Sequence, residues 1–262
     1  MEREPLQEDD SGVTFEVIEG EIQGDKPVRS KGVYLLPNLF TTAALFSGFY
    51  CVIAAMNGSF ENAAMAIFIA GVLDGLDGRV ARMTNTQSAF GTEYDSLSDV
   101  VAFGVAPATL AYSWILDSYG KLGWMCAFVF VACAALRLAR FNTQVDVADK
   151  RYFTGLSSPV AAGFVASLIW VGVEQNAAQS LFGILVAATV LVAALLMVSN
   201  IPFYSFKDLG SKGRVPFRMM LAMISIFVLI FIDPPKILLL MSVVYTISGP
   251  LLAYRKKKQF NA

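Results

Sequence analysis

Residues 73–99 read LDGLDGRVARMTNTQSAFGTEYDSLSD, an acidic stretch set between two apolar runs. The runs on either side, 61–83 and 95–116, are each long enough to cross a bilayer as a helix, for which about 20 residues suffice. Asp74 and Asp77 stand three apart at the end of the first run, and Asp95 and Asp99 four apart at the start of the second. Both spacings put side chains on one helix face. The short link 84–94 makes the two helices antiparallel neighbours, so the pairs face each other at similar depth. Four carboxylates converging at a membrane interface repel unless protons or cations neutralise them. A set of oxygen ligands alone favours hard ions, Mg²⁺ or Mn²⁺, over zinc. Helix capping or a solvated loop is the plain alternative, and Asp99 fits it poorly because VVAFGVAPATLAY follows at once. Arg82, two turns beyond Asp74, adds a fixed guanidinium of the kind that grips phosphate with paired hydrogen bonds.

Outward from this stretch the chain is mostly apolar. Of its 262 residues 56% are hydrophobic and 16% charged, against roughly a quarter charged in soluble domains. Apolar runs at 36–56, 61–83, 95–116, 122–140, 159–175, 178–198, 217–233 and 236–254 predict an all-α polytopic membrane bundle of about eight helices. Basic residues check that count, since Lys and Arg gather in cytoplasmic loops. Lys31, Arg79, Arg82, Arg137, Arg140, Lys150, Arg151, Lys207, Lys212, Arg214, Arg218 and the run Arg255–Lys258 all fall on one side, whereas the opposite loops hold only Lys121 and Lys236. Eight spans with both termini in the cytoplasm give that pattern; seven would scramble it. Residues 1–30 hold nine acidic side chains against Arg3, Lys26 and Arg29, and read as a disordered cytoplasmic tail rather than a signal peptide. The expected organisation is this tail, a six-helix core over 31–207, and a C-terminal helix pair with a basic end over 208–262.

Composition also excludes some chemistry. There is no histidine, so imidazole serves neither as base nor as ligand, and acid–base work falls mostly to carboxylates. Cys51, Cys126 and Cys133 lie singly in apolar runs and read as buried hydrophobes. A net charge of −1 gives no field for nucleic acid.

The acidic stretch resembles the signature of CDP-alcohol phosphatidyltransferases, Asp-x2-Asp-Gly-x2-Ala-Arg-x8-Gly-x3-Asp-x3-Asp. Each fixed position is filled, by Asp74, Asp77, Gly78, Ala81, Arg82, Gly91, Asp95 and Asp99. The resemblance implies a two-metal site of Mg²⁺ or Mn²⁺ on Asp74, Asp77, Asp95 and Asp99, with Asp99 also the general base. It implies that Gly78 and Arg82 hold the diphosphate of CDP-diacylglycerol, and that Ser88 touches the nucleotide. In LPNLFT at 36–41, leading into the first helix, Asn38 and Thr41 would face the CDP; a helix cap with proline at the boundary explains them nearly as well. A homodimer in the bacterial inner membrane, with its active site on the cytoplasmic side, is the family expectation.

The signature fixes the reaction class and leaves the alcohol open. RLARFN at 137–142, FTGLSSP at 153–159 and MVSNIPFYSFK at 197–207 are similar to membrane-embedded bacterial phosphatidylserine synthases, although Ser157 stands where proline is expected. L-serine would bring a carboxylate for Arg137, Arg140 or Lys207, with Asn142 as a further polar contact; positive-inside charge alone also accounts for the basic residues. Glycerol 3-phosphate or inositol is the nearer alternative acceptor. A divalent-cation transporter is a distant one, because these acids lie at one interface, without a repeat, beside Arg82.

Overall fold

A computed structural model describes residues 32–84, 86, 88–143, 152–177, 179–204 and 217–260. The acidic tail 1–30 and Lys207 lie outside the described residues. Among them the chain forms eight helices, here numbered in chain order. They are α1 (Gly32–Met56), α2 (Phe60–Thr84), α3, α4 (Lys121–Thr143), α5 (Ser158–Glu174), α6 (Gln179–Val198), α7 (Phe217–Ile232) and α8 (Pro234–Phe260). Helix α3 has three parts: Ala89–Asp99, a wider π-helical turn at Val100–Val105, and Ala106–Trp114.

Four of these contain stretches long and apolar enough to cross a membrane: Leu36–Met56, Lys121–Thr143, Leu181–Val198 and Pro234–Tyr254. Ser158–Glu174 and Met223–Ile232 are shorter apolar helices. Large apolar side chains stand outward on many helices, as at Phe46, Leu181 and Phe231. In a lipid solvent that outward face is satisfied, whereas in water it would be a standing liability. The chain is an integral membrane protein.

The helices hold together through small residues, as expected where the surrounding lipid is as apolar as the interface. A Cβ on Gly48 would come within 2.6 Å of the Ala102 Cα, so α1 and α3 touch backbone to backbone. At Gly104 it would meet the Ala134 methyl at 3.3 Å, bringing α4 against α3. Ser47 Oγ donates to the Ala66 carbonyl at 2.8 Å, a polar tie between α1 and α2 of about 0.6 kcal/mol by analogy with other membrane helices. Phe103, Ile67, Leu110, Phe130 and Ile169 fill the centre.

Two sequence expectations need amendment. Helix α3 begins at Ala89 rather than near Asp95, because Ser88 caps it: Ser88 Oγ accepts the Gly91 N–H at 3.0 Å. Asp95 and Asp99 therefore lie two to three turns inside the helix. The all-α reading also lacks one feature, a two-stranded antiparallel pair of β1 (Tyr152–Thr154) and β2 (Pro202–Tyr204), with Phe153 opposite Phe203. It joins two of the three segments whose sequences pointed to the acceptor. Gly155 makes the turn out of β1 at φ +80°, where a side chain would strike the Met197 carbonyl. Its N–H donates to Ile201 O at 2.9 Å, and that of Leu156 to Leu196 O at 3.0 Å.

Candidate active site

Helices α2 and α3 run side by side with α1 and bring the acidic pairs together. One carboxylate oxygen from each of Asp74, Asp95 and Asp99 lies within 4.8 Å of the others. All three side chains are half-buried. Asp74 and Asp99 are within hydrogen-bonding reach of each other, which two bare carboxylates do not sustain without a proton or cation between them. The wide turn of α3 starts directly after Asp99: the Ala106 N–H donates to Val101 O, one residue further back than in an α-helix. Pro107, at the start of the next segment, has no N–H for the Phe103 carbonyl and its ring crowds that turn. The extra residue rotates the apolar remainder of α3 into the core while Asp95 and Asp99 keep facing α2.

Asp95 Oδ1 is buried and has no hydrogen-bond partner among the described residues. A buried carboxylate oxygen facing two further carboxylates is a costly arrangement unless it binds a cation. The donor set, all oxygen and all anionic, fits a hard divalent ion.

Asp77 stands beside this triad and is held differently. Its Oδ2 accepts a hydrogen bond from Thr41 Oγ1 at 2.8 Å, and both side chains are buried. Thr41 is thus turned toward an aspartate, where the sequence had it facing the nucleotide. Ser98 Oγ in turn donates to the Thr41 carbonyl at 3.2 Å, tying α1 to α3 next to Asp99.

The other nucleotide-side residues gather on one flank. Asn38 Oδ1 and Ser88 Oγ both border Gly91, 3.5 and 3.2 Å from where its Cβ would stand. A side chain at 91 would push them apart. Gly75 and Gly78 border open space, since a Cβ at either meets nothing within 4 Å. Arg82 Nε donates to the Gly78 carbonyl at 2.8 Å, which holds the exposed guanidinium over that open face. Sequence reasoning missed the pair Thr42 and Tyr94, whose hydroxyls meet at 2.9 Å, with Tyr94 stacked on Phe90. No local pattern flags a contact between residues 52 positions apart.

The acceptor set divides. Arg137 is half-buried; its Nη1 donates to Ser158 Oγ at 3.0 Å, and its Nε is buried without a partner among the described residues. Asp99 lies within its electrostatic reach, as does the neutral phenol of Tyr245 on α8. Arg140, one turn on, reaches away instead: Nη2 donates to Asn200 Oδ1 at 2.7 Å and Nη1 to the Val198 carbonyl at 3.4 Å. Asn142 Nδ2 donates to Ser96 Oγ at 2.9 Å, linking the end of α4 to the residue after Asp95. Ser158 and Tyr245 were not foreseen. Ser158 lies in the quoted GLSSP, whereas nothing marks Tyr245 within the mostly apolar stretch 237–254.

Comparison with known proteins agrees with this geometry. The family model described as CDP-alcohol phosphatidyltransferase matches residues 34–198. A CDP-diacylglycerol–serine O-phosphatidyltransferase of Helicobacter pylori (strain ATCC 700392 / 26695) is 36% identical over 217 residues, 83% of this chain and 90% of that protein. A protein of the same name from Mycobacterium leprae is 30% identical over 216 residues, covering 80% of this chain and 71% of the relative. An archaetidylserine synthase of Methanothermobacter thermautotrophicus is 34% identical over 194 residues, or 73% and 78% of the two chains. With the family model spanning well over half its length and relatives above 30% identity along most of it, the chain belongs to the CDP-alcohol phosphatidyltransferase family.

Proposed function

We propose that this chain transfers the phosphatidyl group of CDP-diacylglycerol to L-serine, giving phosphatidylserine and CMP. The observation that carries the reading is the half-buried Arg137, whose buried Nε has no partner among the described residues and which lies within electrostatic reach of Asp99. A single desolvated guanidinium beside the proposed base suits an alcohol bearing one carboxylate. A phosphate dianion would want a denser basic pocket, and Arg140 is already engaged elsewhere. Several relatives are themselves named as serine O-phosphatidyltransferases, which supports the same acceptor.

In this reading Asp99 takes the proton of the serine hydroxyl. The oxygen attacks the phosphorus on the lipid side of the diphosphate, a new P–O bond forms, and the bond to the CMP phosphate breaks. Arg82, with the open backbone at Gly78, holds the diphosphate; Asn38 and Ser88 hold the nucleotide. Arg137 takes the serine carboxylate, Asn142 fixes Ser96 beside Asp95, and Lys207 remains a candidate for the acceptor carboxylate. Mg²⁺ or Mn²⁺ bound by Asp74, Asp77, Asp95 and Asp99 supplies charge neutralisation for the diphosphate and the departing CMP. Recessing the phosphorus among helices keeps water from competing with serine.

The remaining expectations form part of the same proposal. Eight spans, both termini and the active site on the cytoplasmic side rest on the distribution of Lys and Arg. The division into tail, core (31–207) and C-terminal pair (208–262) rests on composition, and the homodimer on family resemblance.

Purified protein in detergent is expected to release CMP from CDP-diacylglycerol only with Mg²⁺ or Mn²⁺ and L-serine present, and chelation should stop it. Release supported by glycerol 3-phosphate or inositol instead would overturn the acceptor while keeping the reaction. Absence of release with every alcohol, from folded protein, would overturn the reaction itself.

The Thr41 bond to Asp77 yields a separate prediction. Thr41→Val keeps the shape and removes the donor, so Asp77 loses its orientation at the cost of one hydrogen bond, about 1 kcal/mol. Mn²⁺ affinity, read by electron paramagnetic resonance of the free ion, is expected to fall about fivefold and to recover in Thr41→Ser. Unchanged affinity would leave Thr41 to the nucleotide or to packing alone.

A further inference from the structure

Arg137 stands on α4 between two contacts with α3. Toward one end, the Ala134 methyl lies 3.3 Å from where a Cβ on Gly104 would stand. Toward the other, Asn142 Nδ2 donates to Ser96 Oγ at 2.9 Å. Asp99 falls between Ser96 and Gly104 on α3, as Arg137 falls between Ala134 and Asn142 on α4. A step of three residues from Ala134 keeps Arg137 on the side of α4 that meets α3.

Ser158, which holds its Nη1 at 3.0 Å, comes from a different part of the chain. Gly155, at φ +80°, turns the backbone out of β1, and its N–H and that of Leu156 are bonded to Ile201 O and Leu196 O. The Leu156 side chain is fully buried. Two residues on, Ser158 opens α5, which is seated on α2 where a Cβ on Gly163 would stand 3.2 Å from the Phe68 ring. The hydroxyl is thus carried on a braced corner. Serines at a helix start ordinarily cap it. Here Ser157 makes no side-chain cap bond, and Ser158, fully buried inside the first turn, gives its oxygen to Arg137 instead.

The choice of nitrogen matters. A guanidinium offers a carboxylate two bidentate edges, one along Nε and Nη2 and one across Nη1 and Nη2. Ser158 occupies Nη1, which spoils the second edge and leaves the first. Nε, on that remaining edge, is buried without a partner among the described residues, a donor that costs stability until an acceptor reaches it.

We propose that Ser158 is a positioning residue of the acceptor site: it fixes Arg137 by Nη1, so that the edge formed by Nε and Nη2 receives the carboxylate of the incoming alcohol. This rests on the serine reading above. Arginine is a long, rotamer-rich side chain, and ordering it before the substrate arrives removes that cost from binding.

Ser158→Ala is expected to raise the KM for L-serine about tenfold while kcat and the KM for CDP-diacylglycerol change little. L-Serinamide keeps the hydroxyl and ammonium but lacks the carboxylate; as substrate or competitive inhibitor it should bind parent and variant equally. In an Arg137→Met background the same alanine change should add about twofold at most, because the group it positions is gone. Ser158→Cys, which fills the same space with a weak acceptor, is expected to repeat the serine-selective loss should the alanine variant fold poorly. An unchanged KM for serine overturns the assignment. Equal losses toward serine and serinamide, or a full tenfold loss on top of Arg137→Met, overturn it as well, since they mark a packing role. Failure of the serine reading shows separately, as parent protein that releases no CMP in response to serine, and that result removes both proposals.

Discussion

Asp99→Asn is expected to lower turnover by about a thousandfold or more, the scale on which positioned general bases act. The substitution is nearly isosteric. Asparagine still meets Asp74, now donating the hydrogen bond that the carboxyl pair shares, so the contact between α2 and α3 persists. The wide turn after Asp99 depends on backbone bonds and on Pro107, and the variant leaves both in place. What disappears is the proton acceptor and one negative charge of the triad. Single-turnover CMP release measures the loss, and retention of labelled CDP-diacylglycerol shows that binding survives in part. Near-normal turnover would remove Asp99 from the base role. Loss of turnover with Mn²⁺ binding retained would separate that role from cation holding.

The second large effect is expected at Arg137. Arg137→Met preserves the apolar stem and deletes the half-buried guanidinium. Charge-assisted, bidentate recognition of a carboxylate is worth more than an ordinary hydrogen bond. The KM for L-serine should therefore rise about a hundredfold, with that for CDP-diacylglycerol little changed. Arg137→Lys should recover only part of it, because an ammonium cannot serve Ser158 and a carboxylate with the same fork. Arg140→Met provides the contrast. Arg140 braces α4 against Asn200 and the Val198 carbonyl, so its loss is expected to lower thermal stability and to affect both substrates alike. A serine-specific defect at Arg140, with none at Arg137, would reverse the assignment made from the geometry.

The helices were legible because each is a long apolar run between charged or turn-forming residues. Their ends were less so. Ser88 starts α3 six residues before the apolar pattern does, since capping obeys hydrogen bonding and not hydropathy. The strand pair was invisible, being three residues a side and closed by Gly155 against a segment some 45 positions away. Thr41 read as a nucleotide contact through the resemblance of residues 36–41 to the family's segment, and only the approach of α2 shows Asp77 as a partner of its hydroxyl.

What the sequence alone determined was the acidic cluster: spacings of three and four along two neighbouring helices bring Asp74, Asp95 and Asp99 together whatever the rest of the bundle does. The division of labour among groups that look alike in sequence came instead from how the helices pack. Arg137 and Arg140 are one turn apart, yet one is held by Ser158 within reach of Asp99 and the other braces the end of α6. Tyr245 comes from a helix with no polar face to betray its rotation. A helix that is apolar on all sides carries no signal of which side meets which neighbour. That choice is made by close contacts such as Gly249 on Phe203 and Gly48 on Ala102, which exist only once the helices have packed.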